Sequence, residues 1–474
     1  MRRTKIIATA GPATDDQSVL QDLIMAGTDI VRINFSHGDW DQHRKTINQV
    51  REISEKTGRY VAILGDLQGP KIRIKGFLNS CVELIEGQSF VLDLNLGVKE
   101  GSSESVGITY QGLISDVEPG DTLLLDDGYI NLRVDSIEDK RIHCTVLVGG
   151  ELADNKGINR LGGGLSAAAL TKKDREDIIS AAELDVDWLA VSFVRNSDDI
   201  HEARKLLRDA GGHGYIVAKI ETSEAVNNLD AIIDASNAVM VARGDLGIET
   251  GYSGLTGLQK KIIRHARRRH KVAITATQMM ESMIHSQIPT RAEVSDISNA
   301  VMDGTDAVML SAETAIGDYP IKAIETMAKI CIGAEEYKLP SSSLSRNDMQ
   351  FDFIDQAIAM SVMYTANHMD INALIALTES GSTALWMSRI RSDIPIYAFS
   401  QHVKTLRRVA LYRGVHPVLF DEPPASGDDL YHQLFNKLLE LDKAKKDDLV
   451  IFTKGDMRGV TGGTNAMTIL RVTG

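Results

Sequence analysis

Cysteine is scarce, with three in 474 residues at positions 81, 144 and 331, and none forms a Cys-x-x-Cys pair. An odd, dispersed set excludes a disulfide framework and fits a reducing compartment. Aromatic residues are only 5%, against 43% hydrophobic and 25% charged, a mix that excludes a wholly disordered chain and a membrane-embedded one. Long apolar runs are missing: none approaches membrane length. The first such run, Ile6-Ile7-Ala8, is too short for the core of a secretion signal, so a cytoplasmic protein is expected. Positive charge is in deficit, 52 Lys and Arg against 65 Asp and Glu, for a net charge of -13, which excludes nucleic acid as the main partner. The chain also lacks a GxxxxGK[ST] loop, an HExxH zinc motif and a dinucleotide fingerprint, so nucleotide binding needs another device.

What is present is repetition. At roughly 150 residues per domain, the length predicts about three domains. Short apolar, β-branched runs, each followed by a stretch of helical character, recur at Lys5 to Gly11, Asp29 to Ser36, Tyr60 to Leu67, Trp188 to Val194, Tyr215 to Glu221, Ala238 to Asp245, Val272 to Gln278 and Asp306 to Glu313. Eight such units predict a (β/α)8 TIM barrel, with reactive groups at the C-terminal ends of the strands. The connection from Leu67 to Trp188, about 120 residues, far exceeds a normal β/α link and predicts an inserted domain. Its texture is Gly-punctuated strand, as in Cys81-Val82-Glu83-Leu84 and Thr122-Leu123-Leu124-Leu125, with turns at 118–121 and 126–128, so an all-β lid is expected. After a linker at Lys338 to Ser343, strands are predicted at 373–377, 395–399, 417–420, 449–453 and 468–472, with Leu430, Leu434, Leu438 and Leu441 at helical spacing. The predicted division is a barrel over 1–69 and 168–337, a β lid over 70–167 and a C-terminal α/β domain over 338–474.

The strand ends carry polar residues that are costly in a core: Arg32, Asn34, Ser36, Asp66, Lys219, Glu221, Arg243, Asp245, Thr277, Gln278, Ser311 and Glu313. Glu221 and Asp245 are hard oxygen ligands on neighbouring strands, suited to Mg²⁺ with open positions for water and substrate. Lys219 and Arg32 beside them suit the charge of a transferring phosphoryl group. A single strand-end charge is as well explained by a structural ion pair, but Lys219 and Glu221 lie two apart on one strand, and three more strands contribute to the same mouth. The set predicts an anionic, phosphorylated substrate.

Weaker features have plainer explanations. The basic run His265 to Lys271 lies where a helix ends and complements its dipole. Met279, Met280 and Met283 fit core packing better than a soft-metal site. In Leu377 to Thr383, hydroxyls and Gly381 join a strand to a helix; the loop reads equally as a phosphate site or as a simple cap by Ser380 or Ser382.

Several segments together resemble the pyruvate kinase family along essentially the whole chain. They are Thr4 to Thr14 (TKIIATAGPAT), Val31 to Gly38 (VRINFSHG), Gly65 to Arg73 (GDLQGPKIR), Ala218 to Glu221 (AKIE), Met240 to Gly247 (MVARGDLG) and Ala276 to Met283 (ATQMMESM). The resemblance implies phosphoryl transfer from phosphoenolpyruvate to ADP, giving pyruvate and ATP. It implies that Lys219 stabilises the transferring group, Glu221 and Asp245 hold Mg²⁺, and Arg32 clamps the phosphate. Gly244, Asp245 and Thr277 would receive the substrate, with Thr277 and Ser311 near the route that protonates the enolate. Asn34, His37, Arg73 and Lys156 match nucleotide-contacting positions. The resemblance also implies a homotetramer whose C-terminal domain binds a phosphorylated effector, a sugar phosphate or AMP, at Thr378, Ser380, Gly381, Ser382 and Thr383.

One departure stands out. Many members use K⁺ near Asn34, Ser36 and Asp66, with Thr after the Asp and Glu where Lys71 stands; here the residues are Leu67, Gln68 and Lys71, as in the branch that works without K⁺. A Lys ammonium supplies the charge the ion otherwise brings, so K⁺ independence is expected. A barrel lyase or mutase using Mg²⁺ to stabilise an enolate would share Glu221 and Asp245 but leaves the lid and the third domain unexplained. A non-catalytic sensor on the same fold would be expected to have lost Lys219, Glu221 or Asp245, and all three are present.

Overall fold

The computed structural model describes residues 1–337, 351–420, 427–455 and 462–473. Among them, strands Lys5–Thr9, Ile30–Asn34, Ala62–Asp66, Trp188–Val191, Tyr215–Ile220, Ala238–Ala242, Val272–Ala276 and Ala307–Leu310 close into one parallel barrel, each beside its chain neighbour. These are the eight expected runs, but every expected strand extends past the observed end. Arg243 and Asp245 open helix Arg243–Thr250, and Glu313 lies in helix Ala312–Ala315 rather than on a strand. The ladder stops where the chain turns over the barrel rim, and the polar residues follow that turn.

The floor of the barrel is closed by a four-times-repeated device. Asp29, Asp187, Asn237 and Asp306 each immediately precede an even-numbered strand. Their side chains accept the backbone N–H of Ile6, Ile63, Ile216 and Ala273, at 2.9, 2.7, 3.0 and 2.8 Å, each the second residue of the preceding odd strand. Their own N–H groups return to the carbonyls of those same residues at 2.8 to 3.1 Å. Neighbouring strands are thus tied in four pairs where the ladder begins, satisfying donors that would otherwise be buried unpaired.

The insertion holds a six-stranded sheet in the order Ile158–Arg160, Thr122–Leu125, Ile130–Glu138, Arg141–Val148, Ser89–Asp93, Ser105–Gly107, and a pair formed by Cys81–Leu84 with Gly150–Ala153. Past the barrel, a five-stranded sheet runs Val415–Leu419, Ile396–Ser400, Ala373–Leu377, Leu449–Gly455, Thr464–Arg471, the first four parallel and the last antiparallel. Leu430, Leu434 and Leu438 on helix Gly427–Glu440 are buried against it, whereas Leu441 falls beyond the helix end and is 37% exposed. The expected linker at Lys338 to Ser343 lies outside the described residues.

One apolar cluster joins the barrel interior to this C-terminal layer: Ile7, Leu64, Trp188 and Ile274 pack with Met363, Met387, Val409 and Tyr412. Charges reinforce the junction, with Arg389 paired to Asp306 and Arg407 to Asp185 and Asp187. The basic run is structural: His265 and Arg269 pair with Asp230, and Lys271 donates to the Ser236 carbonyl. Met279, Met280 and Met283 are fully buried, around a short 3-10 turn, Glu281–Ile284, rather than a regular helix. Among the described residues no helix is long and apolar enough to cross a membrane.

Candidate active site

Strand alternation decides which side chains reach the barrel mouth. Ile30, Leu64, Ala190 and Val217 face inward, so residues two further on do likewise, which brings Arg32, Asp66, Ser192 and Lys219 together. The distances agree. Arg32 Nε lies 2.6 Å from Asp66 Oδ2, and Lys219 Nζ lies 3.4 Å from Asp66 Oδ1 and 3.5 Å from Glu221 Oε2. Burial alone depresses the Lys219 pKa, but Asp66 and Glu221 outweigh it and raise the ammonium above its ordinary value. Burial would raise the Asp66 carboxyl; Lys219 and Arg32 instead hold it below the usual carboxylate range.

Glu221 is fully buried, and its two oxygens fare differently. Oε1 accepts the Phe193 N–H at 2.7 Å, with Phe193 in the left-handed region at φ 52°, while Oε2 has no hydrogen-bond partner. Burial pushes this carboxyl up to about 7 against the attraction of Lys219, and Asp245 adds repulsion. A buried carboxylate oxygen left open beside a second carboxylate is what a hard divalent cation would satisfy, and two carboxylates with open positions suit Mg²⁺.

Strand seven delivers Thr277 under strain. Thr277 and Gln278 sit at φ 64° and 52°, a costly region for a β-branched residue. The Arg243 guanidinium holds them, donating to the Thr277 carbonyl at 3.1 and 2.6 Å and to the Gln278 carbonyl at 2.7 Å. This conformation lets Thr277 Oγ1 accept the Gly244 N–H at 2.9 Å while donating to the Ala276 carbonyl at 2.7 Å. Ser311 stands on the neighbouring strand end, its N–H held by Glu313 at 2.7 Å.

A cleft of about 40 Å³ separates lid from barrel. Lys71, Ile158 and Asn159 line it from the lid, and Arg195, Asp245 and Glu249 from the barrel. Lys71 is exposed there and faces the same space as Asp245, whereas Asp66 is engaged by Arg32 and Lys219. In the lid, Arg73 and Lys156 are brought together: Arg73 pairs with Gly157, the Ile74 N–H reaches the Lys156 carbonyl, and Lys156 Nζ lies 2.7 Å from Asp126. Asn34 ends strand two and His37 follows it; Asn34 Oδ1 accepts the Ser36 N–H and His37 is exposed. Leu67, following Asp66, is buried and reaches the site through its carbonyl.

In the C-terminal domain neither serine caps helix Ser382–Ser388. Gly381 occupies the cap position at φ 87°, its N–H accepted by Thr378 Oγ1 at 2.9 Å, while Thr383 pairs with Thr464 at 2.6 Å. Of the two readings of this loop, the serine cap gives way to a glycine turn, with only a long 3.4 Å contact from the Ser382 N–H to Ser380 Oγ.

Sequence reading missed two contributors and the task of a third. Ser192, at the fourth strand's end, accepts from Lys219; Arg243 was seen without its clamp; and Glu249, one helical turn after Asp245, accepts the Ser223 N–H at 2.8 Å. An inward hydroxyl ending an apolar run and a carboxylate at i+4 were the available signals.

Comparison with known proteins agrees with the geometry. Residues 1–324 match the family described as pyruvate kinase, barrel domain, and residues 356–470 that described as pyruvate kinase, alpha/beta domain. Pyruvate kinase II of Salmonella typhimurium is 54% identical over 478 residues, covering 100% of this chain and 99% of its own. Pyruvate kinase of Buchnera aphidicola subsp. Schizaphis graminum is 53% identical with the same coverage, and that of Mycobacterium tuberculosis (strain H37Rv) 39% identical, covering 99% of this chain and 98% of its own. With both domains matched and full-length relatives above half identity, the chain belongs to the pyruvate kinase family.

Proposed function

We propose that the barrel mouth transfers a phosphoryl group from phosphoenolpyruvate to ADP, yielding pyruvate and ATP, with Mg²⁺ at Glu221 and Asp245 and without K⁺. The observation that carries this reading is the open Glu221 Oε2, held beside Lys219 and next to a second carboxylate. When bound, Mg²⁺ supplies concentrated positive charge for the phosphoryl and substrate oxygens. Arg32 turns from Asp66 to the phosphate, and Lys219 meets the charge that grows on the group in flight. The Gly244 N–H and Thr277 hydroxyl receive the carboxylate, and the Thr277 and Ser311 hydroxyls lie on the proton route to the product carbon. Asn34, His37, Arg73 and Lys156 contact the nucleotide. Lid closure excludes water, which would otherwise compete with ADP.

Lys71, exposed in the cleft, takes the place of K⁺ in this proposal. The proposed assembly is a cytoplasmic homotetramer, activated by a sugar phosphate or AMP at Thr378, Ser380, Gly381, Ser382 and Thr383. The domain limits at 69/70, 167/168 and 337/338 are proposed with it.

The test is pyruvate formation from phosphoenolpyruvate, ADP and Mg²⁺, with K⁺ or with a large organic cation in its place. Equal rates support the reaction and Lys71 as the replacement for the ion; activity only with K⁺ removes the role of Lys71; no pyruvate in either removes the reaction. A Lys71→Glu variant should lose activity that K⁺ partly restores, and indifference to K⁺ counts against the charge argument.

A further inference from the structure

Lys219 is placed by an unusual balance. Its two carboxylate neighbours stand at 3.4 and 3.5 Å, beyond a good hydrogen bond, while Ser192 Oγ accepts from Nζ at 2.6 Å. The serine proton is committed elsewhere: Oγ donates to the Leu67 carbonyl at 2.7 Å. With its one proton directed to Leu67, the hydroxyl can only accept from the ammonium, so the polarity of the pair is fixed. Ser192 is itself rigid. It is 1% exposed, its strand pairs with the Leu67 N–H through the Ala190 carbonyl at 3.0 Å, and Gly69 packs so closely that a Cβ there would meet the Ser192 Cβ at 2.8 Å.

An ammonium has three protons. One points down to Ser192, which leaves the other two between the carboxylates and the open mouth, where a phosphoryl oxygen replaces the long contacts. We infer that Ser192 is a positioning residue for phosphoryl transfer: it anchors Lys219 from below, through the Leu67 carbonyl, so that the ammonium presents its remaining protons to the transferring group. The inference rests on the proposed role of Lys219. It predicts that loss of the hydroxyl affects turnover more than substrate binding, because a misdirected charge acts mainly in the transition state.

The test is a double-mutant cycle on the full-length enzyme with Ser192→Ala, Lys219→Met and the double variant, read as kcat and KM for phosphoenolpyruvate with a thermal midpoint for each. Ser192→Ala should lower kcat about 10- to 100-fold and leave KM within about twofold. In the Lys219→Met background the same change should cost less than about twofold, since no ammonium is left to aim. Equal losses in both backgrounds, a raised KM at unchanged kcat, or a kcat loss explained by a collapsed thermal midpoint would overturn the inference. Near-normal turnover of Lys219→Met would overturn the role of Lys219 and this inference with it; a large Lys219→Met loss beside an unaffected Ser192→Ala would overturn the inference alone.

Discussion

Replacing Arg389 by methionine tests how the C-terminal layer is fastened to the barrel. Arg389 follows helix Ser382–Ser388 and reaches Asp306 with Nη1 at 2.8 Å and Nη2 at 2.6 Å, both side chains only 3% exposed. Nη1 also donates to the Lys271 carbonyl at 2.8 Å. Methionine keeps most of the apolar stem, so packing changes little. What it leaves is a buried carboxylate without its hydrogen-bonded counter-charge, with only the unbonded charges of Arg267 and Arg413 near it, which costs up to about 3–5 kcal/mol, and a carbonyl without its donor, worth about 1 kcal/mol more. Adding Asp306→Asn removes the orphaned charge while the amide oxygen still accepts the Ala273 N–H, so the double variant should lose only about 1–2 kcal/mol. Urea midpoints at fixed protein concentration, compared across the cycle, read the difference. A single-variant loss below about 1 kcal/mol, or a double variant no better than the single, would refute the argument.

Arg243→Lys should lower kcat/KM at least about tenfold with the fold retained, because one ammonium cannot fork across the Thr277 and Gln278 carbonyls; unchanged steady-state kinetics would show that the left-handed turn holds itself. His416 is kept neutral by burial, with Lys5 adding, and its pKa falls to about 3. The unfolded chain therefore binds the extra proton first, and stability drops by up to about 1.4 kcal/mol per pH unit as pH falls from about 6.5 toward 3. His416→Phe should flatten that part of the curve of thermal midpoint against pH, and parallel curves would contradict the assignment. Asp at both Thr378 and Ser382 should abolish activation by a phosphorylated effector and spare basal turnover; undiminished activation would place the effector elsewhere.

All eight barrel strands and the inserted β-domain are legible because short continuous apolar, β-branched runs and a long gap between them are strong signals. The strand ends are not, since Asp245 and Glu313 follow tight turns that continue the polar pattern without continuing the ladder. Lys219 and Glu221 are readable as a pair from their spacing alone, and the 3.5 Å contact agrees. Ser192 escapes because a lone serine after Trp188 to Val191 looks like ordinary strand termination; only the approach of strands three and five reveals what its hydroxyl touches. The strain at Thr277 escapes for a related reason: nothing local favours a left-handed threonine, and the cause is a guanidinium 34 residues earlier.

The repeated floor ties also bear on modularity. Asp187 and Asp306 are committed twice, once to a barrel N–H and once to an arginine of the C-terminal layer, whereas Asn237, at the same place in the repeat, performs the first task without a charge. A barrel cut free of its C-terminal partner would keep Arg51 on Asp187 at 3.0 Å but lose the Arg389 fork from the buried Asp306, so severing the chain there is an electrostatic injury at Asp306 as well as a loss of apolar cover. Asn237 shows the remedy that the same scaffold already contains. Writing asparagine at 306 would turn a dependent half into a candidate stand-alone barrel, and would mark that aspartate as the price of communication between the halves rather than of barrel closure.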